Sequence, residues 1–285
     1  MAAVVGGSLG GMHALEWAYE GKEYVCCIVP IATCAYQGAW AICWGEAQRH
    51  AIYHDSKFHG GRYSLEDPPV AGLEAARMAA LLTYRSRDSL ERRFSRQRPG
   101  GKEKGLTAKQ TRKTQPPKNA PDHGHGRMNG NASHPVPRWI NGSNDTNDTR
   151  KLEILSSNPT FAAQSYLRYQ AEKFSFRFDS NCYLALTHKL DTHDLARARA
   201  DTVTAALALI EQPTLVLGIK TDGLYPFAEQ EQLARSIPRA TLGEIVSQDG
   251  HDAFLIESRQ LNGLLREFLY DHLPDLIKRP DGARP

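Results

Sequence analysis

The chain has 285 residues, of which 41% are hydrophobic and 24% charged, a balance that is ordinary for a soluble globular protein. No apolar run approaches the ~18 residues of a membrane span, and the first residues do not resemble a secretory signal. The net charge of +3 is uneven, because residues 95–150 hold 11 Lys or Arg against four Asp or Glu, and the remainder holds 24 against 28. Basic charge confined to one segment argues against a nucleic-acid-binding fold, which carries it on structured elements.

Both ends of the chain alternate between short apolar runs and amphipathic segments, a pattern that predicts strands and helices. The predicted strands cover residues 2–6, 24–32, 214–219 and 240–246. The predicted helices between and after them cover residues 9–20, 227–236 and 252–273. Strands that alternate with helices are typical of an α/β fold built on a parallel sheet.

The segment between the second and third strands is mainly helical and is interpreted as an insertion over that sheet. Its predicted helices cover residues 39–53, 72–94, 161–174 and 181–189. Residues 95–150 are so rich in Lys, Arg, Pro, Gly, Asn and Ser that they cannot bury enough apolar surface to offset their ordering entropy, and we expect them to be disordered. The five cysteines show no C-x-x-C spacing, which predicts free thiols in a reducing cytoplasm and no metal site.

The strongest chemical signal is the run Gly-Gly-Ser-Leu-Gly-Gly at residues 6–11, between the first strand and the first helix. It matches G-x-S-x-G in the strand–turn–helix context of a nucleophile elbow, which exposes Ser8 at the N-terminus of a helix. The N–H of Leu9 would then face the oxyanion of an acyl intermediate. Taken alone, the run gives the elbow about even odds, the alternatives being an incidental Gly-rich turn and a phosphate-binding loop.

Two further residues follow strands in the order that an α/β-hydrolase requires. Asp222 comes after the third strand and His251 after the fourth, so that the chain order is Ser8, Asp222, His251. In such a triad the histidine takes the proton of Ser8, and the aspartate fixes the tautomer of the imidazole. Each of the two has a plain structural interpretation alone, as a turn former or a solvated loop residue, but in this order they predict a catalytic site.

A lone arginine in the long helix of the insertion indicates an anionic ligand. Arg77 is the only polar side chain in the stretch Ala-Ala-Arg-Met-Ala-Ala-Leu-Leu, and Tyr84 lies two turns further on the same face. Because burying an unpaired guanidinium is costly, its partner is either a substrate carboxylate or a protein carboxylate such as Glu46 or Glu74. Asp252 would bind a substrate ammonium or cap the last helix. An Arg for a carboxylate and an Asp for an ammonium would together indicate an amino-acid substrate.

Several motifs taken together resemble the homoserine O-acetyltransferases. They are Gly-Gly-Ser-Leu-Gly-Gly-Met-His-Ala-Leu-Glu-Trp at 6–17, Trp-Gly-Glu-Ala-Gln-Arg at 44–49, Gly-Leu-Glu-Ala-Ala-Arg-Met at 72–78, Leu-Thr-Tyr-Arg-Ser at 82–86, Ser-Tyr-Leu-Arg-Tyr-Gln at 165–170, Asp-Thr-His-Asp at 191–194, Thr-Asp-Gly-Leu-Tyr at 221–225 and Gly-His-Asp-Ala-Phe-Leu at 250–255. The resemblance covers nearly all of the chain except residues 95–150, where a basic low-complexity insert is similar to the fungal-type branch.

The resemblance implies a partial α/β-hydrolase fold, with a parallel sheet from the elbow strand onward. Its implied parts are a first core segment at 1–36, a helical lid at 37–190 that contains the disordered insert, a second core segment at 191–275 and a tail at 276–285. Members of the family carry several strands before the elbow, whereas the elbow strand here opens the sequence. A chain truncated in this way keeps the Leu9 N–H but loses the second oxyanion donor, at a cost of about 10²–10³ in rate, so we expect little activity of this chain alone.

The implied reaction is acetyl transfer from acetyl-CoA, as co-substrate, to the hydroxyl of L-homoserine, an early step of methionine biosynthesis. The resemblance implies a ping-pong mechanism through acetylated Ser8 with His251 as base, substrate binding by Arg77, Tyr84 and Asp252, no cofactor, and a homodimer formed through the lid. The sequence also resembles deacetylcephalosporin C acetyltransferase, so the acceptor stays open. The same residues are also compatible with a serine esterase or hydrolase on this fold and with an inactive fragment, and no nucleic acid or membrane partner is expected.

Overall fold

A computed structural model describes residues 1–99 and 159–276 of the chain. The chain divides into two compact units, namely Met1–Arg93 together with Leu167–Pro285, and Phe94–Tyr166. The segment 95–150 that the sequence predicts to be disordered lies outside the described residues except for its first five.

The smaller unit is described only at its two ends. The rings of Phe94 and Tyr166 lie 4.9 Å apart, and the Ala162 N–H donates to the Gln97 carbonyl over 2.8 Å. The Arg96 guanidinium, at the first end of the unit, lies 4.9 Å from the centroid of an aromatic ring at the second end. These contacts bring the two described ends of this unit together.

Four parallel strands form the sheet of the larger unit, in the spatial order β1-β2-β3-β4. They are β1 Ala3–Gly7, β2 Cys27–Ile31, β3 Thr214–Gly218 and β4 Ala240–Glu244. Each lies within the predicted range or extends one residue beyond it. The strand β2 begins three residues after its predicted start, because the residues before it form a turn. The predicted parallel α/β fold is therefore confirmed.

The helices connect and cover these strands. Numbered within the described residues, they are α1 Leu9–Ala18, α2 Ala39–Tyr53, α3 Val70–Tyr84, α4 Arg87–Phe94, α5 Ala162–Ser175, α6 Ser180–Asp191, α7 Val203–Leu207, α8 Phe227–Ser236, α9 Ala253–Ile256 and α10 Ser258–His272. Short 3₁₀ turns cover His59–Gly61 and Gly250–Asp252. No helix in the described ranges combines the length and the apolar character that a bilayer crossing needs.

The two central strands, β2 and β3, are buried on both faces and alternate their side chains between two apolar layers. Ile28 and Val216 pack toward α1 and α8 on one face. Val29 and Leu217 pack toward α10 on the other. Strands covered on both faces are apolar throughout, which is why the sequence shows continuous apolar runs here instead of strict alternation.

The strand register brings the carboxyl ends of all four strands to one edge of the sheet. Gly7 pairs with Ile31, Ile31 with Leu217, and Leu217 with Gly243. The elbow and the loops after β3 and β4 leave the sheet at this edge. In open parallel sheets this edge is where ligands bind.

The prediction of one continuous helix over residues 72–94 is wrong, because the structure has two helices there, α3 and α4. Arg85 between them is extended, with φ −108° and ψ 141°. Ser86 Oγ accepts the N–H of Ser89 over 3.0 Å and so caps α4. The backbone at this break packs on Gly250, where an added Cβ would lie 2.5 Å from Ser86 N. A contact with a distant segment therefore ends a helix that local apolar periodicity would continue.

The terminal helix predicted over residues 252–273 is also divided. A 3₁₀ turn leads into α9, and Glu257, with φ −84° and ψ 46°, separates α9 from α10. This break places the side-chain amide of Gln260 against both backbone groups of Val246, at 3.1 and 2.9 Å. The amide satisfies backbone groups just beyond the end of β4 that no strand pairs.

The segment between β2 and β3 packs its helices α2, α3, α5 and α6 on each other, and we call these four helices the lid. Their shared apolar cluster includes Ile52, Leu73, Phe174 and Tyr183. A Cβ added to Gly72 would lie 2.7 Å from the carbonyl oxygen of Ala51, so α2 and α3 approach at a position that only glycine allows. The domain bounds implied by the resemblance stay predictions.

Candidate active site

Ser8 joins β1 to α1 in a strained turn, with φ 56° and ψ −123°, a region that residues other than glycine rarely adopt. Side chains do not fit beside it. A Cβ on Gly6 would lie 2.1 Å from the Gly10 carbonyl oxygen, and a Cβ on Gly7 would lie 2.4 Å from the ring of Phe254. A strained serine among glycines, between a strand and a helix, is the geometry of a nucleophile elbow.

Hydrogen bonds hold the backbone of Ser8 on both sides. Its N–H donates to the Ile31 carbonyl over 2.9 Å, and its carbonyl accepts from Thr33 Oγ1 over 2.9 Å. The Leu9 N–H, the first of α1, has no acceptor among the described residues and points from the positive end of the helix. It is therefore available to an oxyanion. Sequence reasoning missed Thr33, because a threonine after a strand is too common to be a signal.

Asp222 and His251 form the buried polar pair of the site. Asp222 Oδ2 lies 2.7 Å from His251 Nδ1, and the two side chains are 0% and 4% exposed. The other carboxylate oxygen, Oδ1, accepts the backbone N–H groups of Leu224 (2.8 Å) and Tyr225 (3.0 Å). With the carboxylate fixed in this way, Nδ1 is the donor, and Nε2 of the imidazole is left to act as a base.

Three aromatic rings surround His251. Their centroids lie 5.9 Å (Tyr84), 5.4 Å (Tyr225) and 5.6 Å (Phe254) from that of the imidazole. Because Phe254 also packs on Gly7, the histidine lies beside the elbow. No hydrogen bond in the described part of the chain joins Ser8 Oγ to His251 Nε2, and catalytic hydrogen bonds of this kind often tighten only when substrate is bound.

Arg77 and Tyr84 stand together on α3. The Arg77 Cζ atom lies 5.3 Å from the centroid of the Tyr84 ring and 4.6 Å from that of Phe174, and its Nε is buried without a hydrogen-bond partner in the described residues. The protein carboxylates considered from the sequence bind elsewhere, since Glu46 accepts from Arg49 and Glu74 from Ser175. Aromatic faces stabilise the cation, and its Nε remains unsatisfied.

The Tyr84 hydroxyl belongs to the same polar region. Burial raises the pKa of Tyr84, the charge of Asp252 raises it further, and Arg77 opposes both effects. The hydroxyl therefore keeps its proton near neutral pH. Since its ring also contacts His251, Tyr84 connects the guanidinium of α3 to the pair of Asp222 and His251.

Asp252 directly follows the histidine and is 18% exposed at its side chain. Its Oδ2 lies 3.1 Å from Arg85 Nε, an ion pair within the protein. The structure thus brings four of the predicted residues into one region, namely Arg77, Tyr84, His251 and Asp252. No three His, Cys, Asp or Glu side chains in the described ranges cluster as metal ligands.

A cavity of about 310 Å³ lies next to Asp222, between the start of α2 and the start of α8. Its lining residues are Gly38, Trp40, Ala41, Gly223, Leu224, Pro226 and Glu229. Burial, and secondarily the charge of Asp222, raise the pKa of Glu229 to about 7. Its Oε2 is buried without a hydrogen-bond partner in the described residues. Sequence reasoning missed Glu229, because a glutamate in the first turn of a helix is ordinary.

The comparison with known proteins first identifies the fold family. Residues 2–258 match the model of the alpha/beta hydrolase fold, so the chain belongs to that fold family. The X-ray structure of homoserine O-acetyltransferase from Bacillus anthracis shares this fold, with a TM-score of 0.67 over 94% of this chain and 59% of that one, at 19% identity.

Curated relatives narrow the family. The chain is 60% identical over 98% of its length to homoserine O-acetyltransferase FUB5 of Fusarium oxysporum f. sp. lycopersici and covers 71% of that protein. It is 61% identical over 98% of its length to homoserine O-acetyltransferase FUB5 of Gibberella moniliformis and covers 56% of it. The chain belongs to the homoserine O-acetyltransferase family, which confirms the resemblance seen in the sequence. It spans between 56% and 71% of the length of these two relatives.

Proposed function

We propose that this chain carries the acyl-transfer site of a homoserine O-acetyltransferase, which moves an acetyl group from acetyl-CoA to the hydroxyl of L-homoserine. The observation that carries the proposal is the buried pair of Asp222 and His251, 2.7 Å apart, beside the Ser8 elbow. Identities of 60% and 61% to proteins named homoserine O-acetyltransferase support this choice of reaction.

In the first half-reaction, Ser8 Oγ attacks the thioester carbonyl of acetyl-CoA while His251 Nε2 takes its proton. Negative charge develops on the carbonyl oxygen, and the Leu9 N–H at the start of α1 stabilises it. The C–S bond then breaks, His251 returns the proton to the sulfur, and CoA leaves as a thiol. Asp222 holds the imidazole orientation throughout and stabilises the imidazolium.

In the second half-reaction, the acceptor hydroxyl attacks the acetyl group on Ser8. His251 takes the hydroxyl proton and passes it to Ser8 Oγ as the ester bond to the serine breaks. Arg77 and Tyr84 are proposed to bind the carboxylate of the acceptor, because Arg77 Nε is buried without a hydrogen-bond partner in the described residues and its guanidinium lies over the Tyr84 ring. Asp252, partly exposed beside the histidine, is proposed to bind the ammonium group.

The lid has a proposed role in choosing transfer over hydrolysis. A site that keeps water from the acetyl-serine favours the acceptor hydroxyl, and packed helices above the elbow would supply this shelter. A homodimer formed through the lid and a cytoplasmic location follow from the family resemblance and are proposals of the same kind. The low turnover expected from the sequence stays a prediction.

The test is detection of the covalent intermediate. The purified 285-residue chain is incubated with acetyl-CoA, and intact-mass and peptide mass spectrometry locate the acetyl group, with a Ser8→Ala variant as control. We expect one acetyl group on Ser8, none in the variant, and its discharge to O-acetylhomoserine when homoserine is added. Because the adduct is measured instead of turnover, slow chemistry suffices.

The remaining outcomes revise or overturn the proposal. Release of acetate that does not depend on the acceptor would favour a serine esterase. Faster discharge to deacetylcephalosporin C or serine than to homoserine would change the acceptor and keep the mechanism. A chain that forms no adduct on Ser8 and no acetylated product would overturn the proposal.

A further inference from the structure

Arg85 is a buried cation outside the catalytic triad and outside the proposed substrate contacts. It occupies the extended residue between α3 and α4, and its side chain is 5% exposed. An arginine this deeply buried requires compensating carboxylates, because an uncompensated buried charge is strongly destabilising. The positions of the carboxylates that compensate Arg85 show which segment of the chain this side chain holds in place.

Two aspartates on either side of the catalytic histidine receive this guanidinium. Arg85 Nη1 donates to Asp249 Oδ1 over 3.1 Å. Arg85 Nε lies 3.1 Å from Asp252 Oδ2, without the alignment of a hydrogen bond. Asp249 is two residues before His251 and Asp252 is one residue after it, so one side chain spans the whole turn that presents the histidine.

The backbone of the same turn is held from the same place. Gly250 has φ +71°, and a Cβ there would lie 2.5 Å from Ser86 N and 2.9 Å from the Arg85 carbonyl carbon. The hydroxyls of Ser86 and Ser89 donate to the Gln248 carbonyl and to Asp249 Oδ1. The turn is a single 3₁₀ segment of three residues, which has little hydrogen bonding of its own to maintain its position.

We infer that Arg85 is a positioning residue that holds the His251 turn at the break between α3 and α4. The inference rests on the proposed acyl-serine chemistry. Asp222 fixes the imidazole ring at Nδ1, and Arg85 fixes the backbone that carries the ring. Loss of the bridge lets the turn shift, and a displacement of about 1 Å at a catalytic base can cost about 10²-fold in rate.

The test measures the reactivity of Ser8 without acetyl-CoA or homoserine. A fluorophosphonate probe is used, in which Ser8 Oγ bonds to phosphorus as fluoride leaves and His251 takes the proton. The variants are Arg85→Met, Arg85→Lys and the matched control Arg92→Met. Arg92 Nη2 lies 3.8 Å from the same Asp249 oxygen, but its side chain is 53% exposed. Circular dichroism and melting temperature report the fold of each variant.

We expect Arg85→Met to lower the maximal labelling rate by about 10–100-fold, with the half-saturating probe concentration unchanged. Arg85→Lys keeps the charge but cannot bridge both aspartates, so it also loses rate, to a smaller extent. Arg92→Met keeps the wild-type rate. Should Arg85→Met fail to fold, Arg85→Lys carries the comparison.

The possible results separate this inference from the proposed function. Wild-type chain that is not labelled on Ser8 would overturn the proposed function and this inference with it. Labelled wild type, together with folded Arg85 variants that react at the wild-type rate, would overturn the inference alone. A lower melting temperature with an unchanged labelling rate would mean that Arg85 has a structural role only, and would also overturn it.

Discussion

Replacement of Asp222 by asparagine is expected to force His251, the proposed base, into the wrong tautomer. Asp222 Oδ1 accepts two backbone N–H groups, and Oδ2 accepts from His251 Nδ1 over 2.7 Å. The backbone donors require an acceptor, so the amide oxygen of asparagine takes the Oδ1 position and its NH₂ group faces the histidine. Nδ1 must then accept, and the proton moves to Nε2, the atom that has to deprotonate Ser8.

The size of the effect follows from this geometry. The same exchange in a serine-protease triad lowers kcat by about 10⁴-fold for the same reason, which corresponds to about 5.5 kcal/mol of transition-state stabilisation. Stability should change little, because asparagine has the same shape and both backbone hydrogen bonds remain. Exchange of one charge-assisted hydrogen bond for a neutral one is worth about 1 kcal/mol.

The assay is the rate of Ser8 labelling by the fluorophosphonate probe, with Asp179→Asn as the matched control. Asp179 also accepts a backbone N–H, that of Cys182 over 2.9 Å, but it caps a lid helix away from the triad. We expect a loss of about 10⁴-fold for Asp222→Asn and the wild-type rate for the control. Folded Asp222→Asn protein that keeps more than about a tenth of the wild-type rate would refute the tautomer argument.

Under the proposed function, Arg77→Met should leave acetylation of Ser8 by acetyl-CoA intact and raise the KM for homoserine by about 100-fold in steady-state assays, since the proposed charge-assisted contact with the acceptor carboxylate is lost; a defect in acetylation itself would contradict the proposed role of Arg77 in binding the acceptor. Glu229 has a pKa raised from 4.5 to about 7, so the folded state loses stability as pH rises through that window. Glu229→Gln should therefore stabilise the protein in urea unfolding at about pH 8, by about 1–2 kcal/mol after allowance for solvent screening, and have little effect at about pH 4; equal effects at both pH values would refute the burial argument. Gly6→Ala should abolish labelling and lower the melting temperature, because its Cβ would lie 2.1 Å from backbone, whereas Gly10→Ala has open space and should fold and melt like the wild type; equal tolerance of both would exclude the close approach at the elbow.

Local patterns predicted the elements that depend on local causes. The strands appeared as apolar runs because β2 and β3 are buried on both faces. The elbow appeared as a glycine-rich run because side chains on its neighbours would overlap backbone or the Phe254 ring. The order Ser8, Asp222, His251 was informative because loops after parallel strands emerge at one edge.

The misses have a common physical cause. Apolar periodicity continues through Arg85 and outweighed the local signal of the cap residue Ser86, so the break between α3 and α4 was missed. The break depends on packing against Gly250. The raised pKa of Glu229 depends on burial and on the nearby charge of Asp222. Thr33 acquires its role only because β2 ends beside the elbow, where its hydroxyl meets the Ser8 carbonyl.

The sequence by itself determined the strand and helix alternation and the elbow, and it proposed Asp222 and His251 as acid and base, because these follow from residue size, apolar period and chain order. Only the tertiary structure decided which charges meet. Arg85 and Asp249 are 164 positions apart, and no periodicity connects them. Ion-pair partners are selected by the packing of distant segments, so the sequence indicated that Arg77 needs a partner, and the folded chain showed that Glu46 and Glu74 are bound elsewhere.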